Sequence, residues 1–149
     1  FSLMGCNTIG KNKQTSEDFS CPRVFFSSED RIFIDTAEGG TSIDDITYKA
    51  ELNNFAFIDK CLQQNEAAVI PLDILIIAQP MDALKNGDVS IPLYAELLDQ
   101  NESIEKKFET KNFMETDITD RLYIITKNLD TKQIVIGFML DDEKRLLLN

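Results

Sequence analysis

The chain of 149 residues contains no histidine and no tryptophan. Without histidine, it cannot by itself supply a Ser-His-Asp or Cys-His nucleophile, nor a histidine-ligated zinc or copper site. Without tryptophan between its cysteines, it lacks the core signature of an antibody-type domain. These absences argue against an enzyme, and the sequence predicts no cofactor and no resident metal.

Positive charge is also scarce, because 15 Lys and Arg oppose 26 Asp and Glu, for a net charge of −11 and a pI near 4.4. Such a chain repels phosphate backbones and anionic lipid headgroups. After Gly5, no stretch approaches the roughly 18 apolar residues of a membrane span. The composition therefore predicts a water-soluble fold with no nucleic-acid partner.

Motifs for small-molecule chemistry are missing as well. The sequence has no Cys-x-x-Cys pair and no Asp-x-Asp-x-Asp-Gly calcium loop, and Gly39-Gly40 lacks the lysine of a phosphate loop. Acidic residues cluster at Asp44-Asp45, at Asp117 with Asp120, and at Asp141-Asp142-Glu143. We interpret each cluster as a solvated turn or loop, the alternatives being an acid/base pair or a calcium site. No small-molecule substrate is indicated.

What is present begins with Phe1-Ser2-Leu3-Met4-Gly5-Cys6, an apolar run that meets a small residue and a cysteine. This run resembles a bacterial lipobox at the end of a secretory signal. The resemblance implies that Cys6 carries lipid, and several acyl chains together hold a membrane far more firmly than one. The alternative is an ordinary strand start with an unmodified thiol.

Three regions follow from this interpretation: residues 1–5 as a signal remnant, 6–20 as anchor and flexible tether, and 21–149 as one folded domain. The polar stretch from Asn7 to Ser20 would span about 20 Å as a flexible coil. Asn7 stands where lipoproteins retained at the inner membrane often carry Asp. By that resemblance, we expect a lipid-anchored protein of the outer membrane that faces the periplasm.

Cys21 and Cys61 remain as an even pair once Cys6 is assigned to lipid. In an oxidising compartment they predict a disulfide, which on the chain-entropy model would stabilise the fold by about 4 kcal/mol. The alternative is two buried thiols.

Short alternating segments separated by polar turns predict an all-β fold, which we interpret as an antiparallel immunoglobulin-like β-sandwich of seven or eight strands. The clearest strand is Ala68–Ala78, whose even-numbered residues are apolar throughout. In the strand that begins at Ile46, the apolar parity changes after Asn53-Asn54, which predicts a β-bulge. Residues Phe113–Asp120 are expected to be a loop, and Asp141 is expected to cap a terminal helical turn.

Five segments carry a resemblance to a known family: Cys21-Pro22-Arg23-Val24, Asp44-Asp45-Ile46-Thr47-Tyr48, Cys61, Ile91-Pro92-Leu93-Tyr94 and Ile136-Gly137-Phe138-Met139-Leu140. Together they resemble small alphaproteobacterial envelope lipoproteins, from Cys21 nearly to the end of the chain. The resemblance implies an envelope location and brings no activity with it.

The functional hypothesis is a lipid-anchored binding, assembly or structural module that holds another envelope protein. The alternatives are a carboxylate-based envelope hydrolase and a repetitive surface or appendage subunit. Contacts are expected at an edge strand, Val24–Ser27, or at the loop Asn112–Asp120. Phe25, Phe26 and Phe33 cannot share one face by simple alternation, so either some of them contact a partner or a bulge or second layer buries them.

Overall fold

A computed structural model describes residues 17–81, 89–98, 100–110 and 117–148. These residues form ten strands, a short 3-10 helix (Ile43–Asp45) and one α-helix, α1 (Asp142–Leu146). The strands are β1 (Glu17–Asp18), β2 (Arg23–Phe26), β3 (Ile32–Thr36), β4 (Ile46–Phe57), β5 (Leu62–Gln64), β6 (Ala67–Pro80), β7 (Val89–Leu97), β8 (Glu102–Thr110), β9 (Asp117–Thr126) and β10 (Gln133–Phe138). The predicted all-β class is confirmed.

The strands form two sheets around one core. Sheet A has the order β1-β5-β6-β4-β3, and β9 pairs with the other side of β6. Sheet B has the order β2-β10-β7-β8. Every pairing is antiparallel except that of β2 with β10, which is parallel. Inward side chains of both sheets make up a single apolar cluster, which gives a sandwich-like architecture.

The core of sheet A is the even-numbered face of β6. Its six residues from Ala68 to Ala78 are each at most 2% exposed. Isoleucine and leucine dominate this face, and β-branched and other apolar side chains pack well on a pleated, buried surface. The prediction that this face is core is confirmed.

The predicted bulge in β4 is also present. Up to Leu52 the even-numbered residues of β4 face the core, and the pairing with β6 then shifts between Leu52 and Asn54. After the shift, Phe55 pairs with Ile74 and so turns to the core side. One additional residue thus keeps both apolar sets of a single strand on the inner face.

Two predicted boundaries are wrong. Residues Asp117–Asp120 were expected to be loop, but they are the first part of β9 and pair with β6 from Ile77 to Ile74. Glu17 and Asp18 were assigned to the tether, but they pair with Gln63 and Leu62, and Phe19 packs against the core. Neither segment has enough apolar residues to indicate a strand by alternation. Asp117–Asp120 extends along the long strand β6, and Glu17–Asp18 pairs with the short strand β5.

The end of the chain follows the prediction closely. In β10, Ile134, Ile136 and Phe138 are fully buried. Asp141 then caps α1 by accepting a hydrogen bond from the backbone N–H of Lys144 at 2.9 Å.

Candidate interaction surface

Cys21 and Cys61 form the predicted disulfide, with their Cα atoms 5.2 Å apart. Cys61 is buried at the start of the β5 segment, whereas Cys21 is exposed between β1 and β2. The bond therefore fixes the chain where it passes from sheet A to sheet B. The predicted lipidation site Cys6 and the predicted contact residues 112–116 lie outside the described residues.

The acidic pair Asp44-Asp45 is local structure in the described fold. Asp45 Oδ2 accepts hydrogen bonds from Ser42 N–H, Ser42 Oγ and Thr41 N–H at 3.0 to 3.1 Å. These bonds, that of the Ser42 N–H foremost, lower the pKa of the Asp45 carboxyl. Asp45 thus holds the turn before β4, as Asp141 holds the start of α1.

The interpretation of Asp120 as a solvated loop residue is wrong. Asp120 lies opposite Ile74 on the inward face of β9 and is only 3% exposed. Its Oδ1 accepts a hydrogen bond at 2.7 Å from Nζ of Lys106. Lys106 is on β8, opposite the buried Leu93 of β7. The Lys106 Nζ also donates to the carbonyl of Arg121. Charges directed inward on edge strands discourage pairing with other chains, and this pair also joins the two sheets.

A second polar bridge closes the same side of the sandwich. Glu102 lies opposite the buried Leu97, and its Oε1 accepts hydrogen bonds from Thr126 Oγ1 and Asn128 Nδ2 at 2.6 and 2.5 Å. Thr126 is itself 3% exposed. This β8–β9 seam is therefore built from charged and polar side chains that hydrogen-bond between the sheets, while the buried Asp120 Oδ2 has no partner among the described residues.

A groove of about 650 Å³ lies beside α1. On its wall, Asp30 Oδ2 accepts a hydrogen bond of 2.6 Å from the Tyr94 hydroxyl. The other oxygen, Asp30 Oδ1, forms an ion pair of 2.5 Å with Arg145 Nη1. Lys144 pairs with Asp35 at 3.1 Å in the same way. Because each cation of α1 has a carboxylate partner, in the β2–β3 connection or on β3, the polar groups of this groove hold α1 in place.

Tyr94 reaches Asp30 across the backbone of Gly137. A Cβ at Gly137 would lie 2.6 Å from the Tyr94 oxygen and 2.8 Å from the Asp30 Cβ, so only glycine fits between them. Burial and the hydrogen bond to Asp30 raise the pKa of Tyr94 to about 12. The Tyr94 hydroxyl therefore stays protonated throughout the neutral range, in keeping with its hydrogen bond to Asp30.

The phenylalanines named by the sequence are mostly internal. Phe33 is 4% exposed and packs at 5.7 Å on Phe138. Phe26 is half-buried, with its ring edge-on to Phe55 at 5.8 Å and the Arg31 guanidinium 5.4 Å from its centre. The bulge in β4 brings Phe55 there, so burial by a bulge or second layer accounts for Phe26 and Phe33, whereas Phe25 is half-buried and outside the core cluster. The predicted edge strand β2 is indeed at the edge of sheet B.

The outer face of sheet A is where apolar side chains remain without a covering layer among the described residues. On the odd-numbered side of β6, Val69, Leu75 and Ile77 are only half-buried, although they point away from the core. The neighbours of Val69 in the register are Leu62 on β5 and Ile125 on β9. We call the following set the sheet A patch: Leu62, Val69, Leu75, Ile77, Tyr123 and Ile125.

Exposure within the sheet A patch is highest on β9, where Tyr123 is 53% and Ile125 60% exposed. Glu51 of β4 separates Ile77 of β6 from Ile32 of β3. Ile32 is 38% exposed and lines a depression of about 170 Å³. An antiparallel sheet with a solvated face normally alternates apolar and polar residues, and β6 does not. Large exposed apolar patches are in general candidates for interaction sites, so this face is the candidate interaction surface.

One ion pair crosses the sheet A patch. Arg121 Nε donates to Asp73 Oδ1 at 3.2 Å, and the Arg121 side chain is 57% exposed. The hydrogen bond to Asp73 raises the pKa of Arg121. With Lys49 and Glu51 on β4, the described charged side chains on this outer face are two positive and two negative. By the register, the acidic Asp18 and Asp117 also lie on this face, next to Leu62 and Ile77.

Neither a metal centre nor a membrane helix is found in the part of the chain that the structure describes. No three side chains of Cys, Asp or Glu there are arranged to hold a metal ion. No helix there has the length and apolar character needed to cross a membrane. Comparisons with protein-family models, with curated proteins and with solved structures gave no match.

Proposed function

We propose that this protein is a lipid-anchored envelope protein that acts as a binding or assembly module in a larger membrane-associated complex. The observation that carries the proposal is the sheet A patch, in which Tyr123 and Ile125 are more than half exposed beside a central strand with three half-buried apolar residues on its outward face. A sheet face of this composition fits a protein partner better than water.

The proposed location is the outer membrane, on the periplasmic side, with Cys6 as the lipidated residue. The Cys21–Cys61 disulfide supports an exported protein, because such bonds persist in oxidising compartments. The resemblance to small alphaproteobacterial envelope lipoproteins supports the same location.

The immunoglobulin-like identity of the fold is part of this proposal. Two packed sheets, eight strands of four or more residues, and repeated crossing of the chain between the sheets support it. An experimental structure with the same strand order in both sheets, traced through the remaining connections, tests the assignment.

Anchoring is tested by fractionation of cells that express the native chain or Cys6→Ala. The native chain should sediment with outer membranes and its amino-terminal peptide should carry acyl chains by mass spectrometry. Cys6→Ala should be found in the soluble fraction. An unmodified Cys6 in the membrane-extracted protein would contradict lipidation.

Binding is tested by placing a photo-crosslinking amino acid at position 125 of the anchored protein and, as a control, at position 43. Ile43 is 69% exposed and lies in the turn before β4, outside the sheet A patch. A crosslinked protein product from position 125 alone supports the module. Equal, non-specific products from both positions, or none from either, would contradict it.

A further inference from the structure

We infer that the Cys21–Cys61 disulfide is a redox switch. Its reduction releases residues 17–21, which we call the strap, from sheet A while the rest of the domain stays folded. The inference is independent of the proposed binding function. Two observations lead to it: the two cysteines differ in exposure, and few contacts besides the disulfide hold the strap on the sheet.

The two ends of the disulfide differ in their access to solvent. Cys61 is 1% exposed, whereas Cys21 is exposed. A thiolate in solution can therefore reach the bond only from the Cys21 side. Its attack forms a new S–S bond between the incoming sulfur and Cys21 Sγ, and the bond between Cys21 and Cys61 breaks. The Cys61 sulfur leaves with the electron pair and takes up a proton.

A second thiol group completes the reduction. Its thiolate attacks the incoming sulfur of the mixed disulfide, and Cys21 leaves as a thiolate that is then protonated. The net reaction transfers two electrons to the Cys21–Cys61 bond and oxidises two thiols to a disulfide. The reductant is thus a dithiol, or two molecules of a small thiol such as glutathione.

Apart from the disulfide, the strap has few contacts with sheet A. Its strand β1 has two residues and pairs with the three-residue strand β5 at the end of the sheet. The Phe19 N–H donates a hydrogen bond of 3.0 Å to the Cys61 carbonyl, and the Phe19 side chain is only partly buried against the core. Each such backbone hydrogen bond stabilises by about as much as the conformational entropy of one ordered residue costs. Without the covalent bond, the strap therefore gains little by staying on the sheet.

Release ends where β2 begins. Pro22 and Val24 are buried, and β2 pairs with β10 along its whole length. The backbone N–H groups of Arg23 and Ser27 donate hydrogen bonds of 2.9 and 2.8 Å to carbonyls on the β10 side. The buried residues of the core cluster all lie at or after Val24. The reduced domain therefore keeps its core and its second sheet.

Release of the strap changes where the preceding chain joins the domain. In the oxidised protein the junction is beside β5 in sheet A, and after reduction it moves to the start of β2 in sheet B. The freed residues 17–21 can extend over about 17 Å. In the proposed anchored protein, a reductant would therefore lengthen the link between membrane and domain and transfer its attachment to the other sheet.

The test is amide hydrogen exchange of the full chain with Cys6→Ser, which removes the proposed lipid and leaves Cys21 and Cys61, with and without dithiothreitol. The Phe19 amide should be protected in the oxidised protein. After reduction it should exchange at least about 100-fold faster, near the rate of an unstructured peptide, while the amides of Arg23 and Ser27 stay protected. Adding Cys21→Ser and Cys61→Ala should give the same exchange without any reductant, which controls for the reductant itself.

The site of attack is tested with reduced glutathione, acid quenching and peptide mass spectrometry, and the mixed disulfide should be found on Cys21. Glutathione attached to Cys61 as often as to Cys21 overturns the inference. So does a Phe19 amide that stays protected after reduction, because the hydrogen bonds alone would then hold the strap. Loss of protection at Arg23 and Ser27 together with Phe19 also overturns it, because the disulfide would then support the whole domain. None of these results bears on binding through the sheet A patch.

Discussion

The salt bridge between Lys106 and Asp120 makes a quantitative prediction about stability. The Asp120 side chain is 4% exposed, so removing Lys106 leaves a carboxylate buried without its partner. Breaking a buried pair in this way typically costs 3–5 kcal/mol. Because the Lys106 side chain is 36% exposed and partly hydrated, we expect Lys106→Met to lower the free energy of unfolding by about 2–3 kcal/mol.

Urea unfolding of the Cys6→Ser protein at low concentration measures this change. The matched control is Arg121→Met, which breaks the exposed Asp73–Arg121 pair on the same strand and should cost less than about 1 kcal/mol. The double variant Lys106→Met with Asp120→Val removes both charges and should recover most of the loss, because no unpaired charge remains buried. Lys106→Met alone should also aggregate more on refolding, since the Arg121 carbonyl on the β9 edge loses its donor.

Two outcomes would refute the reasoning. If Lys106→Met and Arg121→Met cost the same, then the inward position of Asp120 has no energetic consequence. If the double variant is as unstable as Lys106→Met, the loss comes from packing of the lysine stem and the buried charge is not its cause.

Three further predictions concern the disulfide and the Tyr94 hydrogen bond. Reduction of Cys21–Cys61, which closes a separation of 40 residues, should lower the free energy of unfolding by about 4 kcal/mol, and a reductant-independent melting temperature would contradict this. Gly137→Ala should cost about 1–3 kcal/mol in urea unfolding because its methyl group displaces Tyr94 or Asp30, and a neutral effect would mean that the β7–β10 pairing opens at no cost. Since folding raises the pKa of Tyr94 to about 12, the Tyr94 hydroxyl stabilises the native state fully below pH 10 and loses that effect as the pH rises to 12. The difference in unfolding free energy between the native chain and Tyr94→Phe should therefore shrink between pH 10 and pH 12. A constant difference would argue against the hydrogen bond to Asp30.

The sequence was informative wherever burial alone decides the local structure. The even-numbered face of β6 and the parity change at Asn53-Asn54 were both predictable, because period-two alternation is imposed by a core on one side. The disulfide and the cap at Asp141 were predictable because they depend on cysteine pairing and on local hydrogen bonds.

What could not be predicted depends on contacts between distant strands. An aspartate at an inward position reads as a break in alternation, so the first part of β9 was assigned to a loop; only the approach of Lys106 from the other sheet makes Asp120 acceptable there. The sheet A patch was partly visible in the odd-numbered residues of β6. Its extent was not, because Tyr123 and Ile125 join it only through the β6–β9 register.

The disulfide also determines how the domain responds to mechanical force. The proposed lipid anchor at Cys6 would load the domain at its amino terminus whenever a bound partner moves. Tension that arrives at Cys21 passes through the sulfur atoms directly to Cys61. The strands β2, β3 and β4 lie between the two cysteines in the chain, so they carry no load and cannot be extended by it. The force is delivered instead to β5 and the long central strand β6, and about a quarter of the chain is shielded from stretching for as long as the bond stays oxidised.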